Sequence, residues 1–133
     1  DSYDITYKNA TIKSCFWDGG SILELYAFIK ESKNKFVNDC RVGVHIDWDG
    51  VIHEVACKDV LNEIDIMSIE NNLPKFISCK IGNVDQMALY ELETVANRFG
   101  GKYAKKELVI VKDISPAHRL RAKEMGIEIK KYV

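Results

Sequence analysis

Two β-strand patterns separated by an Asn-Asn pair restrict the fold of this chain more than any other feature. Residues 61–69 and 76–81 are rich in β-branched and aromatic side chains, and Pro74 stands only where the second strand begins. Asn71 and Asn72 tolerate the positive φ angles of a tight turn. The pattern therefore predicts an antiparallel hairpin.

The part of the chain before this hairpin predicts one helix and one further hairpin. The helix follows Gly19-Gly20 after an irregular N-terminal stretch and fades near residues 32–34. Residues 41–48 alternate as a strand, and Asp49-Gly50 predicts a turn into a partner strand at residues 51–55. The helix has an apolar stripe at i, i+3, i+4 and i+7, which predicts that this side faces the core: Ile22, Leu25, Tyr26 and Ile29.

The part after the hairpin alternates helices and strands. A helix over residues 85–99 ends at Gly100-Gly101, and a short apolar strand follows at residues 108–111. Ser115-Pro116 opens a last helix, and residues 127–133 form a final strand. The order α-β-β-β-α-β-α-β predicts an α/β or α+β fold in which helices flank a mixed sheet.

Composition and charge narrow the class of protein. The 133 residues are 47% hydrophobic, which suits one folded domain, and no apolar run approaches the roughly 20 residues that span a bilayer. Residues 98–133 hold ten basic and four acidic side chains although the whole chain has a net charge of -1. This segment predicts either a docking face for a polyanion or ordinary solvated surfaces. The four cysteines form no C-x-x-C pair, so free thiols in a reducing compartment are favoured over a zinc site.

The predicted hairpin brings four chemically useful side chains together. If Asn71-Asn72 is a two-residue turn, counting back from it sets Asp65 opposite Ser78 and Glu63 opposite Lys80. Because side chains alternate along a strand, Glu63 and Asp65 are expected on the same face. Two carboxylates, a hydroxyl and an amine then form one cluster.

This cluster has two interpretations. Carboxylates bind a hard divalent cation, magnesium or manganese, and a neighbouring amine stabilises charge on phosphate oxygens, which together suit phosphodiester hydrolysis. The alternative is a Glu63–Lys80 ion pair on a solvated sheet face. Spacing alone leaves both interpretations open.

The same residues resemble the PD-(D/E)XK nucleases, the restriction endonuclease-like superfamily. Asp65, followed by Ser78-Cys79-Lys80, resembles the split Asp…(Asp/Glu)-X-Lys signature of that superfamily, and Gln86 with Tyr90 has the Gln-x-x-x-Tyr spacing of its RecB-like members. The superfamily core is αβββαβ, which agrees with the predicted order. The resemblance implies that fold.

Longer runs are similar to a narrower group, the CRISPR-ancillary nucleases that carry an N-terminal CARF (CRISPR-associated Rossmann-fold) sensor of cyclic oligoadenylates. The similarity covers roughly residues 15–112. The runs are Asn62-Glu63-Ile64-Asp65, Ile77-Ser78-Cys79-Lys80, Ala88-Leu89-Tyr90-Glu91-Leu92 and Arg98-Phe99-Gly100-Gly101.

The resemblance assigns roles to individual residues. It implies that Asp65, the Cys79 main-chain carbonyl and Glu24 of the first helix hold a divalent metal, with Glu63 as a further ligand. It implies catalytic roles for Glu24, Asp65, Ser78, Lys80, Gln86 and Tyr90. Ser78 stands where the family has an acid, and a hydroxyl is a much poorer ligand for a hard cation than a carboxylate.

The resulting expectation is a magnesium- or manganese-dependent endonuclease cutting DNA, with RNA as an alternative substrate, in the cytoplasm and away from membranes. One alternative is an inactive nucleic-acid-binding or dimerisation module of the same fold, and another is a Holliday-junction resolvase-like enzyme. Residues 1–133 are expected to be a single nuclease-like domain, the C-terminal fragment of a longer homodimeric protein whose N-terminal sensor is missing here.

Overall fold

A five-stranded sheet with flanking helices organises the residues that the computed structural model describes, 4–51 and 61–132. In these ranges the elements are α1 (Ala10–Cys15), α2 (Gly19–Ser32), β1 (Val37–Asp47), β2 (Leu61–Glu70), β3 (Leu73–Lys80), α3 (Gln86–Gly100), β4 (Lys105–Ile110), α4 (Pro116–Glu124) and β5 (Ile127–Lys131). The strand order is β1-β2-β3-β4-β5. Strands β1, β2 and β3 are antiparallel, whereas β3, β4 and β5 are parallel and are joined through α3 and α4. The predicted mixed sheet is confirmed.

The β2–β3 turn has the predicted geometry. Asn71 and Asn72 have φ angles of 53° and 63°, the two positive values that a type I′ turn requires. Glu70 pairs with Leu73, and the ladder continues to Ile66 paired with Ile77. The register counted from the turn is therefore confirmed over this length.

The two faces of the sheet are covered by different helices. On one face, α3 and α4 pack over a cluster that includes Phe76, Leu89, Leu92, Leu108, Ile110 and Ala122. On the other face, α2 packs over Ile66, Ile77, Cys79 and Val109. Neighbouring residues of β3 and β4 alternate between the two clusters, as strand geometry requires.

Helix α2 buries a different side from the one that its apolar stripe predicts. Its buried residues are Leu23, Ala27 and Glu31. The ammonium of Lys75 lies 3.0 Å from Glu31 Oε2, and the Ser68 hydroxyl donates to Glu31 Oε1 at 2.7 Å. These contacts turn the Glu31 side of the helix inward, and the predicted stripe is 37–50% exposed: Ile22, Leu25, Tyr26 and Ile29.

Two further regions differ from the prediction or lie outside the described residues. The stretch expected to be irregular contains α1, whose N-terminus is capped by Asn9 accepting from the Ile12 N–H at 2.9 Å. Beyond Val51, which is irregular, the strand predicted at residues 51–55 lies outside the described residues.

Five of the ten basic side chains of residues 98–133 form ion pairs among the described residues. Two of these pairs connect this segment to acids of the earlier sequence, Lys105 to Glu70 at 2.6 Å and Lys106 to Glu93 at 3.9 Å. Among the residues described, no helix is both long enough and apolar enough to cross a bilayer.

Candidate active site

Helix α2 brings Glu24 to the edge of a group of charges. The helix begins where Asp18 accepts from the Gly20 N–H at 3.0 Å, and it packs on the sheet through Leu23. Glu24 is half-buried. Burial raises the pKa of Glu24, the negative charges of Asp65, Glu63 and Asp18 raise it further, and the positive charge of Lys80 opposes them. The charges of Asp65, Glu63 and Lys80 therefore act on Glu24, and its role as a metal ligand stays a prediction.

At Asp65 the alternation of side chains along β1 and β2 changes. Side chains that point to the α2 side of the sheet on one side of this position are replaced by side chains that point to the α3 side on the other. Ile66 packs in the α2-side cluster, but Ile64 packs in the α3-side cluster although the two are separated by one residue. Opposite Asp65, Gly43 adopts a φ of +61°, and the ladder resumes with Val44 paired with Ile64. The strict alternation that placed Glu63 and Asp65 on one face is therefore interrupted at Asp65 itself.

Beyond Ile66 and Ile77, the last pair of the β2–β3 ladder, the Asp65 carboxylate forms the next contacts between the two strands. The Cys79 N–H donates to Asp65 Oδ2 at 2.6 Å, and the Ser78 hydroxyl donates to the same oxygen at 3.2 Å. The expected Asp65–Ser78 contact is thus observed. Cys79 is buried on the α2 side, where burial is the main cause that raises the pKa of its thiol. The contact seen at its main chain is the N–H bond to Asp65, and the role of its carbonyl as a ligand stays a prediction.

A cavity of about 270 Å³ lies between β2, β3 and α3. Asp65 and Lys80 both line it, so the two residues that carry the hydrolysis interpretation face the same space. Glu63 and Ser78 line it too, together with Asn62, Ile64, Phe76, Ile77, Ala88, Glu91, Leu92 and Val95. All four hairpin residues therefore border one cavity despite the interrupted alternation.

Gln86 and Tyr90 lie beside this cavity and do not line it. Gln86 Nε2 donates to the Tyr90 hydroxyl at 2.6 Å on the exposed side of α3, and Tyr90 borders a neighbouring cavity. The helix that carries them does flank the Lys80 pocket, through Ala88, Leu92 and Val95. The catalytic roles of Gln86 and Tyr90 stay a prediction. The α3 acid that lines the pocket is Glu91, which the prediction missed. Glu91 is exposed and lies outside the buried side of α3, so helical periodicity gave no signal for it.

The oxygen donors of the site suit a cation that takes one or two ligands from the protein and the rest from water and substrate. Within residues 4–51 and 61–132, no group of three or more His, Cys, Asp or Glu is placed to hold a metal ion. Burial raises the pKa of Glu24, and the negative charges of Asp65 and Glu63 raise it further, as expected for a carboxylate with others nearby. Magnesium is commonly bound through one or two carboxylates, with water and substrate phosphates completing its shell. The donor set suits that mode.

A helix with an acid, three antiparallel strands bearing Asp65 and Lys80, a second helix and a parallel strand define the restriction endonuclease-like class of protein. The family model for the Card1-like endonuclease domain matches residues 13–131. The chain therefore belongs to the family of Card1-like endonuclease domains, which confirms the resemblance found in the sequence. No curated protein matches the chain.

Solved structures share the fold at low sequence identity. Protein VC1899 from Vibrio cholerae superposes with a TM-score of 0.73 at 21% identity, over 98% of this chain and 35% of that protein. Can2 from Sulfobacillus thermosulfidooxidans, solved in complex with cyclic tetra-adenylate, gives 0.69 at 17% identity, over 93% and 35%. A repair endonuclease from Pyrococcus abyssi gives 0.51 at 13% identity, over 97% and 49%. The chain thus spans about a third of the length of VC1899 and Can2.

Proposed function

We propose that this domain is a magnesium- or manganese-dependent nuclease that hydrolyses phosphodiester bonds of DNA, with RNA as an alternative substrate. The observation that carries the proposal is the shared cavity, which Asp65 and Lys80 line together while Glu24 interacts electrostatically with both. Membership of an endonuclease-domain family supports it.

The proposal gives a task to Asp65, to Lys80 and to the groups that interact with them. The Cys79 N–H and the Ser78 hydroxyl hold the Asp65 carboxylate in one orientation, and Asp65 with Glu24 supplies the ligands for the cation. The bound cation supplies Lewis-acid polarisation of the phosphate. The Lys80 ammonium orients the attacking water and stabilises the negative charge that develops on the phosphate oxygens.

The direct test is cleavage of labelled single- and double-stranded DNA and RNA with Mn²⁺ present and absent. We expect Asp65→Ala and Lys80→Ala each to lower the rate by about 10²–10³-fold, the usual loss when one electrostatic group is removed from an active site. The exposed Lys123 on α4 provides a matched control, and Lys123→Ala should cut at the wild-type rate. Equal activity in all four proteins would refute the proposal.

Ser78 favours a second candidate, an inactive module of the same fold. Its hydroxyl already donates to Asp65, and it is a poor ligand for a hard cation. The variant Ser78→Glu separates the two candidates, because it restores the family's acid. If the wild-type protein is inert and the variant gains metal-dependent cleavage, the inactive module is correct.

We further propose that the domain works in a longer, homodimeric protein under a cyclic-oligoadenylate sensor. The support is that the chain aligns with 35% of Can2, a protein solved with cyclic tetra-adenylate. Cleavage by the full-length protein with and without cyclic tetra-adenylate tests the regulation, and its mass in solution tests the dimer. A monomer that cuts equally well without the nucleotide would contradict both parts.

A further inference from the structure

A second cavity, of about 430 Å³, adjoins the one that holds Asp65 and Lys80. The two cavities share three lining residues, Asn62, Glu91 and Val95. The second cavity is mostly apolar and is completed by Trp48, Met87, Tyr90 and Thr94. An aromatic and methionine-lined space directly beside a candidate hydrolytic site is suited to the flat, apolar part of a substrate.

Trp48 is held in place although it follows the last residue of β1. The Arg98 guanidinium lies over the indole at 4.7 Å from the ring centroid, and Arg98 Nη2 donates to the Trp48 carbonyl at 3.0 Å. The Phe99 ring meets the indole edge-on at a centroid distance of 5.7 Å. A ring fixed by these three contacts needs little reordering to receive a planar ligand.

Asn62 stands at the junction of the two cavities with an unused donor. Its Nδ2 is buried and has no hydrogen-bond partner in the described part of the chain. A buried donor without an acceptor is costly, and such groups are uncommon in folded proteins. An acceptor brought in by a ligand would satisfy it. This observation is independent of the aromatic lining.

We propose that the second cavity binds one nucleobase of the nucleotide next to the scissile phosphate. The base stacks against the aromatic side chains Trp48 and Tyr90, and Asn62 Nδ2 donates to a ring nitrogen or exocyclic oxygen of the base. The assignment of the neighbouring phosphate to the Asp65 cavity rests on the proposed nuclease function. Trp48 and Asn62 then determine which base is favoured beside the cut.

The experiment moves a single abasic residue along a labelled oligonucleotide. Cleavage is measured with Mn²⁺, and binding is measured separately by fluorescence anisotropy with the inactive Asp65→Ala variant. We expect one abasic position to weaken binding, and to slow the adjacent cut, by about 5- to 150-fold, the range for loss of one base–aromatic stack. If one abasic position weakens binding but the wild-type protein cleaves nothing, the base site is supported and only the nuclease function is refuted.

Variants identify the side chains involved. Trp48→Leu should bind and cleave the intact oligonucleotide more weakly by the same factor, and its binding should no longer depend on the abasic position. Trp48→Phe should keep most of the dependence on the abasic position. Trp17, which is 81% exposed, provides the matched control, and Trp17→Leu should behave as wild type. Asn62→Leu should broaden the base preference at that position, and Asn97→Leu, at an exposed asparagine, should not.

Two results would overturn the base site. One is binding by the Asp65→Ala protein that falls by the same amount wherever the abasic residue stands. The other is a Trp48→Leu loss that is equal on intact and abasic oligonucleotides, which indicates a structural role alone. The abasic scan needs no change at Trp48, so it decides the question even if Trp48→Leu fails to fold.

Discussion

Replacing Lys75 by methionine should destabilise the domain strongly through the acids left behind. The Lys75 side chain is 5% exposed, and its ammonium lies 3.0 Å from both Glu31 Oε2 and Glu107 Oε2. Without it, Glu107 keeps Lys130 at 2.7 Å, whereas Glu31, 6% exposed, keeps the Ser68 hydroxyl as its described partner. Glu31 is therefore the buried carboxylate left without a described counter-charge.

The expected loss in the free energy of unfolding follows from the one buried carboxylate that Lys75→Met leaves unpaired. Removing one partner of a buried ion pair costs about 3–5 kcal/mol, which is a large part of a typical stability of about 5–15 kcal/mol. The double variant Lys75→Met/Glu31→Met removes that carboxylate as well and places apolar side chains in a buried position. It should recover most of the loss, because replacing a whole buried pair by apolar residues is often neutral.

Urea unfolding followed by circular dichroism at 25 °C measures the free energies of unfolding of the wild type, Lys75→Met, Glu31→Met and the double variant. Arg41 and Asp39 form an exposed pair at 3.3 Å, so Arg41→Met is the control and should leave the free energy of unfolding unchanged. The reasoning is refuted if Lys75→Met costs less than about 1 kcal/mol, below the range for a broken buried pair, or if the double variant loses the full sum of the single losses.

Three further predictions concern single residues. Gly100→Ala should cost about 1–3 kcal/mol by urea unfolding, because its Cβ would lie 2.6 Å from the buried Phe76 ring, while Gly82→Ala, with open space at that position, should be neutral; equal costs would refute the steric argument. Glu24→Gln should raise Tm at pH 7, because burial and the neighbouring negative charges raise the pKa of Glu24 and make its carboxylate unfavourable in the folded protein, and the gain should vanish as the pH falls towards 4.5. A pH-independent gain in thermal scans would contradict this. Burial lowers the pKa of Lys75, but Glu31 and Glu107 outweigh it and raise the pKa to about 12; the advantage of wild type over Lys75→Met should be complete below pH 10.5 and decline as the pH rises through 12, and an unchanged advantage at that pH would count against it.

Local signals were enough to predict most of the elements. The Asn71-Asn72 turn, the Ser115-Pro116 start of α4 and the glycine after α3 act through their own backbone preferences, which do not depend on the rest of the fold. The register that follows from the turn also predicted the contact between Asp65 and Ser78.

The errors arise where distant residues decide the outcome. The buried side of α2 depends on Glu31 reaching Lys75, which lies 44 positions away, so a stripe of larger apolar residues misled the prediction. The change in side-chain alternation at Asp65 depends on the backbone of Gly43 in another strand, and strand periodicity alone does not reveal it. Asn62 and Glu91 become visible as cavity residues only when β2 and α3 are packed together.

The Asn71-Asn72 turn also has a consequence for the order in which the site assembles. Asp65 and Ser78 are 13 residues apart along the chain, so closing the loop between them costs little entropy, and isolated hairpins form in about 1–10 μs. Strands β4 and β5 are parallel additions that require helical crossovers and form slowly. The contact between Asp65 and Ser78 can therefore form early on the folding pathway, before β4 and β5 complete the core.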